Sequence, residues 1–138
     1  MPNVRIAVTR KKGRARASSG STWEPVIGYS RAVRAGSMIF VTGTVGVNPD
    51  GSYPATPAGQ ARRSLEIIRA AIEALGGKLT DVVRTRMYVT DIARWKELGR
   101  VHGEIFAAIR PATTMVQVSK LIDAQALVEI EADAVVGK

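Results

Sequence analysis

Ile109-Arg110-Pro111-Ala112-Thr113-Thr114-Met115-Val116-Gln117-Val118-Ser119-Lys120-Leu121, answered further on by Leu127-Val128-Glu129-Ile130-Glu131-Ala132, is the stretch from which the fold is read. Both halves read as strands. Pro111-Ala112 supplies a turn, and Thr114 to Val118 run extended from it. Val128, Ile130, Ala132, Ala134 and Val136 recur at every second residue, the spacing that puts them on one face of a pleated strand. Two features depart from a plain buried strand. Glu129 and Glu131 share the opposite face, and the short side chains of Ala112, Thr113 and Thr114 follow the proline. Carboxylates paired on one strand face belong in water or in a site.

Upstream, Ala58, Ala61, Leu65, Ile68, Ile72 and Leu75 repeat at alternating spacings of three and four, one apolar stripe of an amphipathic helix. Thr56 is its expected N-cap, Pro57 its first residue and Gly76-Gly77 its stop. Arg62, Arg63, Glu66, Arg69 and Glu73 line the outer side, and a helix this one-sided packs on a sheet. Asp81 to Thr90 is the next strand, with Val83, Thr85, Met87 and Val89 facing one way and Arg84, Arg86 and Tyr88 the other. Asp91 is expected to cap a second helix, whose apolar side is Ile92, Trp95, Leu98, Val101, His102, Ile105 and Phe106. Gly99 and Gly103 inside it, each costing about 1 kcal/mol against alanine, read either as a close backbone approach or as plain weak helix. Nearer the N-terminus, Arg31 to Arg34 and Met38 to Thr42 flank Ala35-Gly36-Ser37 as a hairpin, and Asn48-Pro49-Asp50-Gly51 is a turn. The order β-β-α-β-α-β-β implies an α+β layer with its helices on one face.

Composition bounds the rest. The 138 residues suit one domain with a real core. No apolar run approaches the roughly 20 residues that span a bilayer, so the chain reads as soluble, with no membrane partner. There is no cysteine, which excludes disulfide and thiolate chemistry, and zinc would have to rely on His102 and carboxylates. No apolar segment of signal-peptide type follows the first basic residues, and a cytoplasmic protein is expected. The net charge of +8 is uneven: Arg5, Arg10, Lys11, Lys12, Arg14 and Arg16 all precede the first acid, Glu24. Residues 1–20 therefore read as a basic N-terminal arm, solvated and partly mobile, with Val4 to Val8 adding a short edge strand; Ser18-Ser19-Gly20-Ser21 links it to a domain over residues 21–138. A phosphate-contacting arm is the alternative. No aromatic interleaves it for base stacking, so a nucleic-acid partner is not expected.

"RPATTMVQVSKL…ALVEIEADAVV", "VIGYSRAVRAGSMIFVTGTVGVNPDG" and "AGQARRSLEIIRAAIEALGGKLTDVVRTRMYVTDI" resemble, in order and spacing, the segments of the YjgF-type reactive-intermediate deaminase (RidA-like) family. The resemblance implies a chorismate-mutase-like α+β fold, a mixed sheet with two helices packed on one face. It also implies a homotrimer with a small-molecule ligand in each intersubunit cleft, no cofactor and no metal. The implied reaction is hydrolysis of reactive enamines or imines to 2-oxo acids and ammonia. In the family, the residue after Pro-Ala is an arginine that grips the substrate carboxylate, and the first glutamate of V-E-I-E-A positions a water. Glu129 falls on that glutamate and is the expected catalytic residue. Tyr29 falls on the family's tyrosine, although Gly28 precedes it where proline is common.

Thr113 stands in place of the arginine. A threonine gives one neutral hydrogen bond, whereas a guanidinium holds a carboxylate with two parallel charged ones. The expected substrate range is shifted accordingly, with Tyr29, Thr113, Arg84 and Arg86 as substrate-binding candidates and Arg110 and Lys120 as further cations nearby. Glu131 is expected to be structural or solvent-facing, and His102 a packed or rim histidine. Three readings follow: a deaminase of altered range, a non-catalytic trimer that binds or senses a small molecule, and a nucleic-acid or translation-associated protein using the basic arm.

Overall fold

The computed structural model describes residues 4–137. Strands β1 (Ala7–Lys11), β2 (Arg14–Ser18), β3 (Ala32–Ala35), β4 (Met38–Val45), β5 (Val82–Val89), β6 (Ala112–Gln117) and β7 (Val128–Val135) form one sheet in the order β1-β2-β3-β4-β7-β5-β6. Every neighbouring pair is antiparallel except β5 and β6, which run parallel and make the sheet mixed. A parallel pair needs a long crossover, and helix α3 (Trp95–Phe106) supplies it. Helix α2 (Pro57–Ala74) lies across β4 and β7, and a short helix α1 (Trp23–Ile27) joins β2 to β3.

The α2 stripe is the core. Ala61, Leu65, Ile68 and Ile72 are buried against Ile39 and Val41 of β4 and Ile130, Ala132 and Ala134 of β7. Each large aliphatic side chain so buried contributes about 1.5–3 kcal/mol. The helix starts as its sequence directs: Thr56 Oγ1 accepts from the Gly59 amide at 3.0 Å, with Pro57 as the first residue. Gln60, on the buried side of α2, ties down two loops. Its Nε2 donates to the carbonyls of Pro54 (3.1 Å) and Gln125 (3.0 Å), and its Oε1 accepts from the Leu127 amide (2.8 Å).

Several expectations are corrected. Residues 7–18 are no solvated tail but a β-hairpin, turned at Lys12 (φ 50°) and Gly13 (φ 75°) and paired through β2 to β3. Ala15 and Ala17 enter the core while Arg14 and Arg16 point outward, so the arginines sit on a strand that the alanines anchor. The edge strand begins at Ala7 rather than Val4, and Ser18 ends β2 instead of opening a linker. Residues 1–3 of the expected arm, and Lys138, lie outside the described residues.

On β5, the ladder to β7 shifts between Val82 and Arg84, so Val82 takes the core position and Val83 is exposed. Thr85, Met87 and Val89 do face the core. Asp91 caps the single 3-10 turn Ile92–Arg94, accepting from the Ala93 amide at 3.0 Å, and α3 begins only after it. Ile92 and Trp95 are exposed, and α3 buries Leu98, Val101 and Phe106. Gly99 and Gly103 mark no close approach: a Cβ at either would meet nothing within 4 Å.

Candidate active site

Because side chains alternate along a strand, β5 and β7 turn a second set away from the helices. Glu129, Glu131 and Asp133 of β7 stand there beside Arg84, Arg86 and Tyr88 of β5. Arg86 Nη1 lies 3.2 Å from Glu131 Oε1 and 3.6 Å from Asp133 Oδ2. Tyr88 donates its hydroxyl proton to the same Glu131 oxygen at 2.9 Å, and that bond is the first cause that raises the Tyr88 pKa. Arg86 and Glu131 are thus engaged with each other, whereas Arg84 is exposed.

Glu129 has different company. The β4–β7 ladder is interrupted between Val41 and Thr44, and Gly43 sits in the irregularity against the Glu129 carboxyl. A Cβ on Gly43 would lie 2.6 Å from Glu129 Oε2, so a side chain there would displace the carboxyl from its present place. Arg31, buried just before β3, donates from Nη1 to the Gly43 carbonyl (3.2 Å) and to Thr44 Oγ1 (3.0 Å). Its guanidinium carbon lies 5.6 Å from the centroid of the Tyr29 ring, which links Tyr29 to this group. Burial pushes the Glu129 pKa above the ordinary 4.5; the Arg31 charge opposes the shift and the Glu131 charge adds to it. A carboxyl raised in this way is suited to accept a proton from water. Tyr53, on one of the loops fastened by Gln60, lies close enough to feel the Glu129 charge. Its phenol is pushed up to about 12, by burial first, then by its hydrogen bond to Asp123 and the charges of Asp123 and Glu129. It stays a neutral donor.

Thr113 lies elsewhere. It pairs in register with Thr85, a core-facing residue, so its hydroxyl is on the helix side of edge strand β6. Thr113 Oγ1 is 2.9 Å from Thr85 Oγ1, which is 2.8 Å from His102 Nε2 on α3. The His102 ring packs on Phe106 with centroids 4.5 Å apart, and burial lowers its pKa. Within one chain, Glu129 and Thr113 therefore stand on opposite faces of the sheet. The candidates fall into three groups: Glu129 with Arg31 and Tyr29, Arg86 with Glu131, and Thr113 with Thr85 and His102.

Sequence reasoning did not single out Arg31, Gly43, Tyr53 or Thr85 as site residues. Gly43 between two threonines at the end of a strand is the signal of a bulge that was there to be read. Arg31 and Tyr53 carry no local signal, since a loop and a sheet irregularity bring them in. No group of three or more metal-ligating side chains occurs among the described residues, and no helix among them is long and apolar enough to cross a membrane.

The fold and site define an α+β protein with a half-buried carboxyl, Glu129, on the sheet face that its own helices leave open. Comparison with known proteins narrows the class. The sequence model of the family described as "Endoribonuclease L-PSP" matches residues 20–136. The 2-iminobutanoate/2-iminopropanoate deaminase of Escherichia coli is 37% identical over 111 residues, 78% of this chain and 86% of that protein. Rv2704 of Mycobacterium tuberculosis, described as a member of the YjgF/YER057c/UK114 family, superposes with a TM-score of 0.83 at 50% identity, covering 89% of this chain and 99% of that one. Escherichia coli TdcF with bound serine superposes with a TM-score of 0.74 at 33% identity, covering 79% and 88%. The chain belongs to the YjgF/RidA family.

Proposed function

We propose that this protein is a cytoplasmic hydrolytic deaminase of reactive enamine or imine metabolites, working without a cofactor as a homotrimer with its substrate in an intersubunit cleft. The observation that carries the reading is the Glu129 carboxyl, half-buried, raised in pKa and seated over Gly43 beside Arg31. In this chemistry Glu129 takes a proton from water as the oxygen bonds to the imine carbon. It passes that proton to the nitrogen, then takes the remaining hydroxyl proton as the carbonyl forms and relays it to the nitrogen as the carbon–nitrogen bond breaks, so one water is consumed and ammonia and a carbonyl compound are released. The relative named as an iminobutanoate and iminopropanoate deaminase supports this class of substrate.

Association is supported by the open sheet face. Met38 and Phe40 of β4, Val116 of β6 and Val135 of β7 are exposed there, apolar surface that another copy would cover. It is supported too by the separation of Glu129 from Thr113, since a site using both needs residues of two chains. With Thr113 in place of a guanidinium, the substrate range is altered.

The test is ammonia release from imines generated in situ by an amino-acid oxidase, from carboxylate-bearing to carboxylate-free, with wild type beside Glu129→Gln. Loss of about 10²–10⁴-fold in the variant is expected for a missing general base. No wild-type turnover on any imine would sink the reading and leave a non-catalytic binding protein.

A further inference from the structure

At the rim of β6, Thr113, Thr85 and His102 form a hydrogen-bond chain whose direction follows the proton on His102 Nε2. Thr85 is fully buried, and its single hydroxyl proton has two neighbours to choose between, His102 Nε2 at 2.8 Å and Thr113 Oγ1 at 2.9 Å. When Nε2 is bare, Thr85 donates to it, Thr113 donates to Thr85, and the exposed Thr113 oxygen turns a lone pair outward. When Nε2 carries a proton, every bond reverses. His102 donates to Thr85, Thr85 donates to Thr113, and the Thr113 proton is released toward solvent, its internal alternative being the Pro111 carbonyl at 3.3 Å. The imidazolium always carries that proton, and its charge then also lies 3.5 Å behind the Thr113 oxygen.

We propose that neutral His102 keeps its proton on Nδ1, that protonation of Nε2 therefore switches the Thr113 hydroxyl through Thr85 from acceptor to donor, and that the protonated state receives the carboxylate of a 2-oxo or 2-imino acid at this rim. The inference rests on the deaminase reading for the class of ligand, not for turnover. His102 is a positioning residue here, and it supplies on demand the positive charge that Thr113 lacks.

The surroundings leave this switch to His102 itself. Thr85 and Met87 of β5, Thr113 of β6 and Phe106 of α3 are uncharged. Arg100 and Glu104 flank His102 on α3, and Glu104 is paired with Arg62 of α2. Arg84 and Arg86 belong to the other face of β5, while Arg110 precedes β6 and Lys120 follows it. None of these hydrogen-bonds to His102, and its pKa is lowered below the ordinary 6.5 by burial alone. A carboxylate bound at Thr113 favours the charged imidazole and raises that pKa, so affinity must rise as pH falls.

His102 is the only histidine of the chain, so its ring resonances can be followed without assignment ambiguity. The experiment is an NMR titration of the imidazole in the full-length protein, free and with saturating 2-oxobutanoate or the carboxylate-free 2-butanone. A midpoint raised by about one unit or more with 2-oxobutanoate, matched by about tenfold tighter binding across that window, and unmoved by 2-butanone, is expected. Thr113→Val should keep the free titration and lose the shift, and His102→Gln should leave 2-oxobutanoate binding independent of pH. A midpoint that 2-oxobutanoate does not move, or no binding of it, overturns the proposal. The same titration on Glu129→Gln separates the two readings. A His102 shift without turnover in any form leaves the switch and removes the deaminase; turnover of imino acids without a shift does the reverse.

Discussion

Gly43→Ala tests the site through one methyl group. The added Cβ would lie 2.6 Å from Glu129 Oε2, 3.0 Å from Cδ and 3.3 Å from Cγ. The oxygen must therefore retreat by about 0.8–1 Å to reach ordinary contact. It belongs to the end of a flexible side chain, so relief comes from rotating the Glu129 torsions, at a cost of about 0.5–1.5 kcal/mol. The fold should survive with a small loss of stability. The chemistry should not: a displacement of about 1 Å in a positioned base is worth on the order of 10²-fold in rate. Ammonia release and the urea midpoint, measured together, read the two effects separately. A double-mutant cycle sharpens the test, because Glu129→Asp draws the carboxyl back by one methylene. In that background Gly43→Ala should cost almost nothing further. Turnover within threefold of wild type for Gly43→Ala alone, or two effects that simply add, would refute the placement of Glu129 as the working carboxylate.

Three further outcomes follow from the same geometry. Arg31→Gln removes the charge that opposes the upward shift of Glu129, so the acid limb of the pH–rate profile should move to higher pH; a profile that stays put contradicts the coupling. Glu129 has a folded pKa above its unfolded value, so its contribution to stability is complete below about 4.5 and is lost as pH rises through the folded value. Glu129→Gln should therefore melt higher than wild type at neutral pH, with the gap closing toward pH 4 in calorimetry. Gly46→Ala drives a Cβ into the Gln60 backbone on α2, which cannot rotate aside. A loss of about 1–3 kcal/mol in urea unfolding is expected, with both loops held by Gln60 loosened.

What the sequence made legible was periodic. The α2 stripe, its threonine cap and its proline start all appear in the structure, as does the alternation of β7. These signals are local, and each agrees with the sheet they build. The basic hairpin departs from the solvated arm that its run of cations suggests because Ala15 and Ala17, at period-two spacing, give β2 one buried face. Val83 was misplaced for a different reason: a bulge resets the alternation by one residue, and no composition rule announces it. Of the candidate site's residues, the place of Glu129 on a strand face turned from the core was readable from its alternation with Val128 and Ile130. Arg31 and Tyr53 were not, because long-range packing brings them to it from elements far apart in the chain.

A threonine at position 113 need not preclude recognition of a carboxylate. Thr113 is exposed at an edge strand, so its replacement alters the rim without opening a cavity in the core. Thr113→Arg therefore has solvent to extend into, and the guanidinium is charged at every working pH. A charge-assisted bond contributes about 1.5–3 kcal/mol where a neutral one contributes about 0.5–1.5. The variant should bind 2-oxobutanoate tighter by about 1–2 kcal/mol, roughly 5–30-fold at neutral pH. Its affinity should lose most of its pH dependence, since the rim no longer waits on His102. Turnover of carboxylate-bearing imines should rise by a similar factor, and that of carboxylate-free imines should not. If the variant folds but binds 2-oxobutanoate no better, the carboxylate does not meet the protein at Thr113, and the cation that serves it must be sought elsewhere, with exposed Arg84 the first to substitute.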